Sequence, residues 1–206
     1  LLGEIPEITV PEPETVDLIR SRRNEVTITS SSQASSPNSN VEYAVDDNPN
    51  SFWNGKGVET PDFYQVDLGK TCEISEITMA LPPGNPTKPA DWASRVQGIK
   101  LLTSDDGITF NEISDRDYSF EKGDSGNNNT VTIFIGDENL ETQFVKFVFH
   151  KNTDASGRGQ IGALVINGAV KEDTGSVVGT NLALNKPVEV KIGGTSARLS
   201  TGPIEN

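Results

Sequence analysis

The sequence predicts an all-β fold, an antiparallel β-sandwich of jelly-roll type, and three observations carry that prediction. Short runs of alternating apolar and polar residues recur from Glu25 to about Val170. Between them lie loops rich in Gly, Pro, Asn and Asp, the residues that punctuate strands. No segment sustains the roughly 3.6-residue period of an amphipathic helix, which sets aside enzyme folds built on βαβ units.

Residues 1–24 read as an acidic, Pro-rich linker or the end of a preceding domain. Pro6, Pro11 and Pro13 alternate with Glu4, Glu7, Glu12 and Glu14, a composition that keeps a chain extended and solvated. Within this stretch Val16-Asp17-Leu18-Ile19-Arg20 suits either a helical turn or a docked strand. The first residues, Leu1-Leu2-Gly3-Glu4, carry neither an initiator Met nor the cationic-then-apolar pattern of a signal peptide. The chain therefore reads as a piece of something larger or as a processed product.

Val26-Thr27-Ile28-Thr29 alternates as a strand and leads into a Ser/Asn-rich loop from Ser30 to Asn40. Phe63 to Leu68 forms the next strand and ends at a Gly69-Lys70 turn. Ile74 to Leu81 follows and is stopped by Pro82-Pro83-Gly84. Ile99 to Thr103 runs into Ser104-Asp105-Asp106-Gly107, a hairpin signal. Phe110 to Ile113, Val131 to Ile135, Phe144 to Phe149 and Ile161 to Ile166 complete the expected strands, and residues 25–170 form the expected sandwich. Residues 171–180 read as a Gly/Ser/Val hinge. Beyond it, Val188-Glu189-Val190-Lys191 repeats the character of Val26 to Thr29, so residues 181–206 read as the truncated start of a second repeat.

Charge narrows the function. There are 17 Lys and Arg against 30 Asp and Glu, a net charge of -13. Long-range repulsion opposes nucleic acid and anionic membrane lipid as partners. An acidic surface suits an extracellular protein and favours divalent cations. Cys72 is the single cysteine, so no intrachain disulfide forms, and its place at the start of a strand is that of a small buried filler. With one Cys and one His, His150, a zinc site of the usual N/S kind is not expected. No nucleophile–base pair stands out, and Asp105-Asp106 and Asp46-Asp47 read as turn residues. An enzyme is not expected.

The most informative stretch is Asp46-Asp47-Asn48-Pro49-Asn50-Ser51-Phe52-Trp53. Asp46 offers a carboxylate, Asn48 an amide oxygen and Ser51 a hydroxyl or carbonyl, at spacings that a tight loop aims inward. Calcium takes about six to eight oxygens from such a bent loop. Pro49 stiffens it, while Phe52 and Trp53 serve as apolar anchors in the core. A capped turn without metal is the alternative.

Together these pieces resemble the discoidin, or coagulation factor V/VIII type C, domain, which includes the family 32 carbohydrate-binding modules. The stretches that carry the likeness are Ala44 to Trp53, Phe63 to Gly69, Ile74 to Ile77, Thr103 to Phe110 and Phe144 to Phe149. Asn181-Leu182-Ala183-Leu184-Asn185-Lys186-Pro187-Val188 resembles the opening of another member and supports a tandem repeat. The resemblance implies a discoidin-type jelly roll and a structural Ca2+ held by Asp46, Asn48 and Ser51 with the backbone carbonyl of Tyr43. It also implies a carbonyl and a Glu from the last strand, where this sequence has Gly162 and Ala163. One carboxylate is therefore missing. Asp47 stands where the family commonly has Gly, and Asp tolerates left-handed backbone better than most residues.

Recognition in sandwich domains falls on loops at one end. Residues 38–42, 83–95 and 151–160 are the candidate loops. Trp92 offers a flat apolar face to a sugar ring, and Arg95 offers donors to its hydroxyls. Asn152 and Arg158 are the best polar candidates in the third loop, and His150 enters because the family often uses a loop His against galactose-like sugars. Tyr118 and Phe120 are weaker candidates. The expected function is a non-catalytic carbohydrate-binding or adhesion module of a larger secreted or surface protein, with a glycan or glycoprotein surface as partner. The alternative is a structural or protein-binding spacer beside neighbouring domains of the same parent chain.

Overall fold

The computed structural model describes residues 14–35, 39–48, 50–57, 61–81, 95–120, 130–152, 158–171, 189–192 and 195–198. The chain divides into two units, one spanning Glu14–Lys171 and the other made of Leu1–Pro13 with Glu172–Asn206. In the larger unit the described strands are β1 (Val16–Asp17), β2 (Thr27–Ser30), β3 (Trp53–Asn54), β4 (Asp62–Ala80), β5 (Arg95–Ser104), β6 (Asn111–Phe120), β7 (Thr130–Asn152), β8 (Gln160–Ile161) and β9 (Ala163–Val170). Its main sheet runs β1-β9-β4-β7-β5-β6, with β2 also paired to β4, and every pairing is antiparallel. β3 and β8 form a separate ladder, Trp53 opposite Ile161.

The alternating pattern explains which face each strand buries. In β4, Tyr64, Val66 and Leu68 point inward while Phe63, Gln65 and Asp67 point out. Their partners on β7, Phe147 opposite Tyr64 and Val145 opposite Val66, are equally buried. Beyond Gly69, whose φ is +73°, pairing resumes at Cys72 after a register shift. A second irregularity between Ile74 and Glu76 moves the inward parity from Ile74 to Ile77 and Met79. Both halves of the bent strand feed one core with Trp53, Phe149, Ile99, Leu101 and Ile166. Each fully buried side chain of this size contributes roughly 1.5–3 kcal/mol.

Several sequence expectations change in detail. Phe63 to Leu68 and Ile74 to Leu81 are one strand, because residues on both sides of Gly69-Lys70 keep partners on β7. Val131 to Ile135 and Phe144 to Phe149 likewise belong to one strand, β7. Phe52 is only half-buried and does not join the core, whereas Trp53 is fully buried. Val16 to Arg20 supplies both of its alternatives, the strand β1 and a helical turn, α1 (Leu18–Ser21). Asp17 caps α1, accepting from the N–H groups of Ile19 at 3.0 Å and Arg20 at 3.1 Å. Leu18 and Ile19 are buried and β1 pairs with β9, so residues 14–24 are packed into the sandwich unit.

Cys72 is buried, as a core filler should be, and burial pushes its thiol up. In the smaller unit, β10 (Glu189–Ile192) and β11 (Thr195–Arg198) form an antiparallel hairpin. The rest of the expected second repeat and the hinge at residues 172–180 lie outside the described residues.

Candidate functional site

Two places in the sandwich gather the residues singled out in the sequence. The first is the Asp46 turn. A 3-10 turn over Val41–Ala44 leads into it, braced by the Tyr64 hydroxyl, which donates to the Val41 carbonyl at 2.8 Å. Burial, with Glu42 and Asp46 nearby, pushes the Tyr64 hydroxyl above its ordinary range, so it stays a donor. Asp47 then adopts φ 64°, the left-handed conformation expected at this position. Asp46 Oδ1 accepts from the Asn48 N–H at 2.9 Å, and Asn48 Oδ1 accepts from the Asn50 N–H at 3.0 Å. Two nested Asx turns thus set the loop.

Ser51 closes it. Its hydroxyl lies 2.8 and 2.7 Å from the two oxygens of Asp46 and 3.0 Å from the Asn48 carbonyl. Asn48 therefore presents its backbone carbonyl to this cluster, while its side-chain oxygen is used within the turn. Across a cavity of about 200 Å³, Asn48, Val45 and Asp47 face Gly162, Ala163 and Leu81. The structure thus brings together Asn48, Gly162 and Ala163, and separately Asp46 with Ser51; Tyr43 sits in the preceding 3-10 turn.

Two cations from the N-terminal segment also reach the turn. Arg20 pairs with Asp47, and this bond raises the Arg20 pKa above its ordinary value. Arg23 donates to the Val45 carbonyl and lies 3.9 Å from Asp47. The donors around Ser51 are the hard oxygens that calcium prefers, so the residues fit that ion in kind. They bring one carboxylate, Asp46, since Asp47 is engaged by arginine. Among the described residues no group of three or more His, Cys, Asp or Glu is placed to hold a metal. Sequence reasoning missed Arg20 and Arg23; Arg20 lies on α1, which an N-capping Asp begins, and Arg23 in the turn that follows it.

The second place is the end of the sandwich where β7 stops and β8 begins. Asn152 is buried and donates from Nδ2 to the Arg158 carbonyl at 3.2 Å. Gln97 of β5 lies opposite Asn152 in register and clamps Gln160, donating to its carbonyl at 3.2 Å and accepting its N–H at 3.1 Å. Asp62, the first residue of β4, is 2 % exposed. It accepts from Ser31 Oγ at 3.2 Å, from Ser32 Oγ, and from the Gly159 N–H at 3.1 Å. Sequence reasoning missed Asp62 as well, although it shares the inward parity of Tyr64, Val66 and Leu68, where an acid is out of pattern.

Asn152 and Arg158 are therefore neighbours. His150 is not with them. It lies on the outer face of the sheet, its Nε2 2.7 Å from Asp115 on β6. Phe120 is fully buried, and the Tyr118 hydroxyl donates to the Ile133 carbonyl at 3.0 Å, so both are packing residues. Arg95 opens β5 opposite Phe120 in register. Trp92 lies outside the described residues.

An antiparallel β-sandwich with a braced turn and a polar loop end is the class of protein that this geometry defines. More particularly, the chain belongs to the F5/8 type C domain family, whose model matches residues 27–163. The family resemblance drawn from the motifs is thus the chain's own family. The fold is similar to the family 32 carbohydrate-binding module of NanJ from Clostridium perfringens, solved with galactose, with a TM-score of 0.55 and 18% identity over 70% of this chain and 95% of that one. It is also similar to CpGH89CBM32-5 of the same organism, solved with GalNAc-β-1,3-galactose, with a TM-score of 0.54 and 20% identity over 74% of this chain and 99% of that one. A family 89 glycoside hydrolase from Clostridium perfringens matches with a TM-score of 0.52 and 20% identity, over 77% of this chain but 16% of the enzyme. No curated protein matches the chain in sequence.

Proposed function

We propose that this domain is a non-catalytic carbohydrate-binding module acting outside the cell as part of a larger protein, with its glycan site at the loop end. The convergence of Asn152, Arg158, Gln97 and Gln160 there carries the proposal. Sugars are held by a few fixed polar groups beside a flat apolar face. Arg158 supplies guanidinium donors, and Asn152 with the Gln97–Gln160 clamp keeps the loop that bears it in place. Trp92 is assigned the apolar face and Arg95, at the start of β5, further donors. His150, engaged by Asp115 on the outer sheet face, is left out of the site. The folds similar to this one that were solved with galactose and with GalNAc-β-1,3-galactose support the assignment. So does a pectin-binding module, at a TM-score of 0.51 and 14% identity.

The turn is assigned a structural role. A calcium ion there would be held by the Asp46 carboxylate, Ser51 and the Asn48 carbonyl, with the carbonyls of Tyr43 and Gly162 as further donors. Ala163 adds no carboxylate, so affinity is weak. Such an ion supplies positive charge to an oxygen-rich loop and takes no part in chemistry.

Glycan-array binding followed by titration calorimetry tests the function. Wild type should bind a galactose- or GalNAc-terminated glycan, and Arg158→Ala should bind it more weakly. A wild-type protein that binds no glycan at all would leave the domain as a spacer or protein-binding module.

A further inference from the structure

We infer that Asp62 is a positioning residue for the glycan end, setting affinity without touching the sugar; this rests on the carbohydrate-binding function proposed above. The Arg158–Gly159 peptide group is held from both sides. Its carbonyl accepts from Asn152 Nδ2 at 3.2 Å, and its N–H donates to Asp62 Oδ2 at 3.1 Å. With both polar atoms of one peptide fixed, the backbone direction from which the Arg158 side chain leaves is fixed too.

The same carboxylate organises the neighbouring loops. Ser31 and Ser32 both donate to it. Ser31 Oγ in turn accepts the Phe63 N–H at 2.9 Å, and Ser32 Oγ accepts the Lys56 N–H at 2.8 Å. The Ser32 carbonyl accepts the indole N–H of Trp53 at 3.1 Å. Gly55 is pressed so close that a Cβ there would collide with the Asp62 carboxyl group, and its N–H donates to the Gly159 carbonyl at 2.9 Å. Gly159 is equally confined, since its Cβ would meet Phe149 at 2.5 Å and Trp53 at 2.7 Å.

The segments that follow β2 and β3, the start of β4 and the β7–β8 connection therefore meet at one buried carboxyl group. An apolar side chain at this inward position would fill the core without the cost of burying charge. A carboxylate is the small group that accepts from several donors at once, and such charge-assisted bonds are stronger than neutral ones. Its loss frees the Gly159 N–H and both serine hydroxyls together, and the Arg158–Gly159 peptide group keeps only the bond from Asn152 to its carbonyl.

Calorimetry with GalNAc-β-1,3-galactose, paired with thermal melting, tests this on wild type, Asp62→Ala, Asp62→Asn and the core variant Ile166→Val. Asp62→Ala should weaken affinity about ten-fold, the equivalent of about one lost hydrogen bond to the peptide that carries Arg158. Asp62→Asn, which keeps one acceptor oxygen, should recover part of the loss. Ile166→Val should lower Tm and leave affinity unchanged, separating positioning from general destabilisation. If Asp62→Ala does not fold, Asp62→Asn and Ser32→Ala carry the comparison, each with an intermediate loss expected. Wild-type affinity in the folded Asp62 variants overturns the positioning role while the carbohydrate function stands. No glycan bound by wild type on an array overturns both.

Discussion

The hydroxyl of Ser51 lies within 2.8 Å of both carboxylate oxygens of Asp46. One hydroxyl hydrogen serves three acceptors there, because the Asn48 carbonyl is also 3.0 Å away. Such a crowd of oxygens gains from a hard cation. Calcium should therefore raise the Tm of wild type and chelator should lower it, by about 2.7 kcal/mol of stability at one hundred times Kd. Asp46→Ala should remove the response. A calcium-loaded wild type whose melting ignores chelator would sink the ion.

Arg20 and Arg23 bear on the same turn. Their pairs with Asp47 are largely exposed, so Arg20→Ala should cost at most about 1 kcal/mol, and less at high salt. Removing both guanidinium groups should tighten calcium binding, because two positive charges leave the ion's neighbourhood. Calorimetric titration of calcium into the double variant reads this directly; unchanged affinity would separate the arginines from the ion site.

Asp106 gives the β5–β6 turn a pH dependence. The N–H groups of Thr109 and Ile108, then the Ser104 hydroxyl, hold its carboxyl down from 3.8 to about 2. A depressed pKa means that the ionised form stabilises the fold. The contribution is complete above about pH 4 and is lost as pH falls toward 2. Asp106→Asn should lower Tm at neutral pH, and the gap to wild type should close near pH 2. A gap that persists at low pH would count against the carboxylate as its source.

The loop end makes a sharper contrast. Arg158→Ala and Trp92→Ala should each weaken glycan binding, whereas His150→Ala should leave it unchanged because His150 faces Asp115 on the outer sheet surface. Competition calorimetry with galactose on the three variants checks the ranking. A large loss in His150→Ala would move the site to the sheet face.

The sandwich was legible in the sequence because inward positions such as Tyr64, Val66, Val145 and Phe147 alternate without interruption. The continuity of β4 and β7 was not. Gly69-Lys70 looks like a stop signal, and only pairing with another strand shows that the ladder continues past it. The left-handed Asp47 was legible from turn chemistry, as was the role of Asp106 in the hairpin. Arg20 and Asp62 were hidden for a different reason. Their partners, Asp47, Ser32 and Gly159, are distant in sequence, and an acid or base reveals its counterpart only once the chain is folded.

β4 begins at Asp62 and ends at Ala80, yet one short stretch of chain fastens both ends. The Gly159 N–H holds Asp62, and the Gly162 N–H holds the Ala80 carbonyl at 2.7 Å. The strip of sheet, irregular past Asp67, is buckled shut like a strap whose clasp is the segment from Gly159 to Gly162. A sandwich unit fastened this way should open as one piece. Melting followed by Trp53 fluorescence and by backbone signal should trace a single coincident curve.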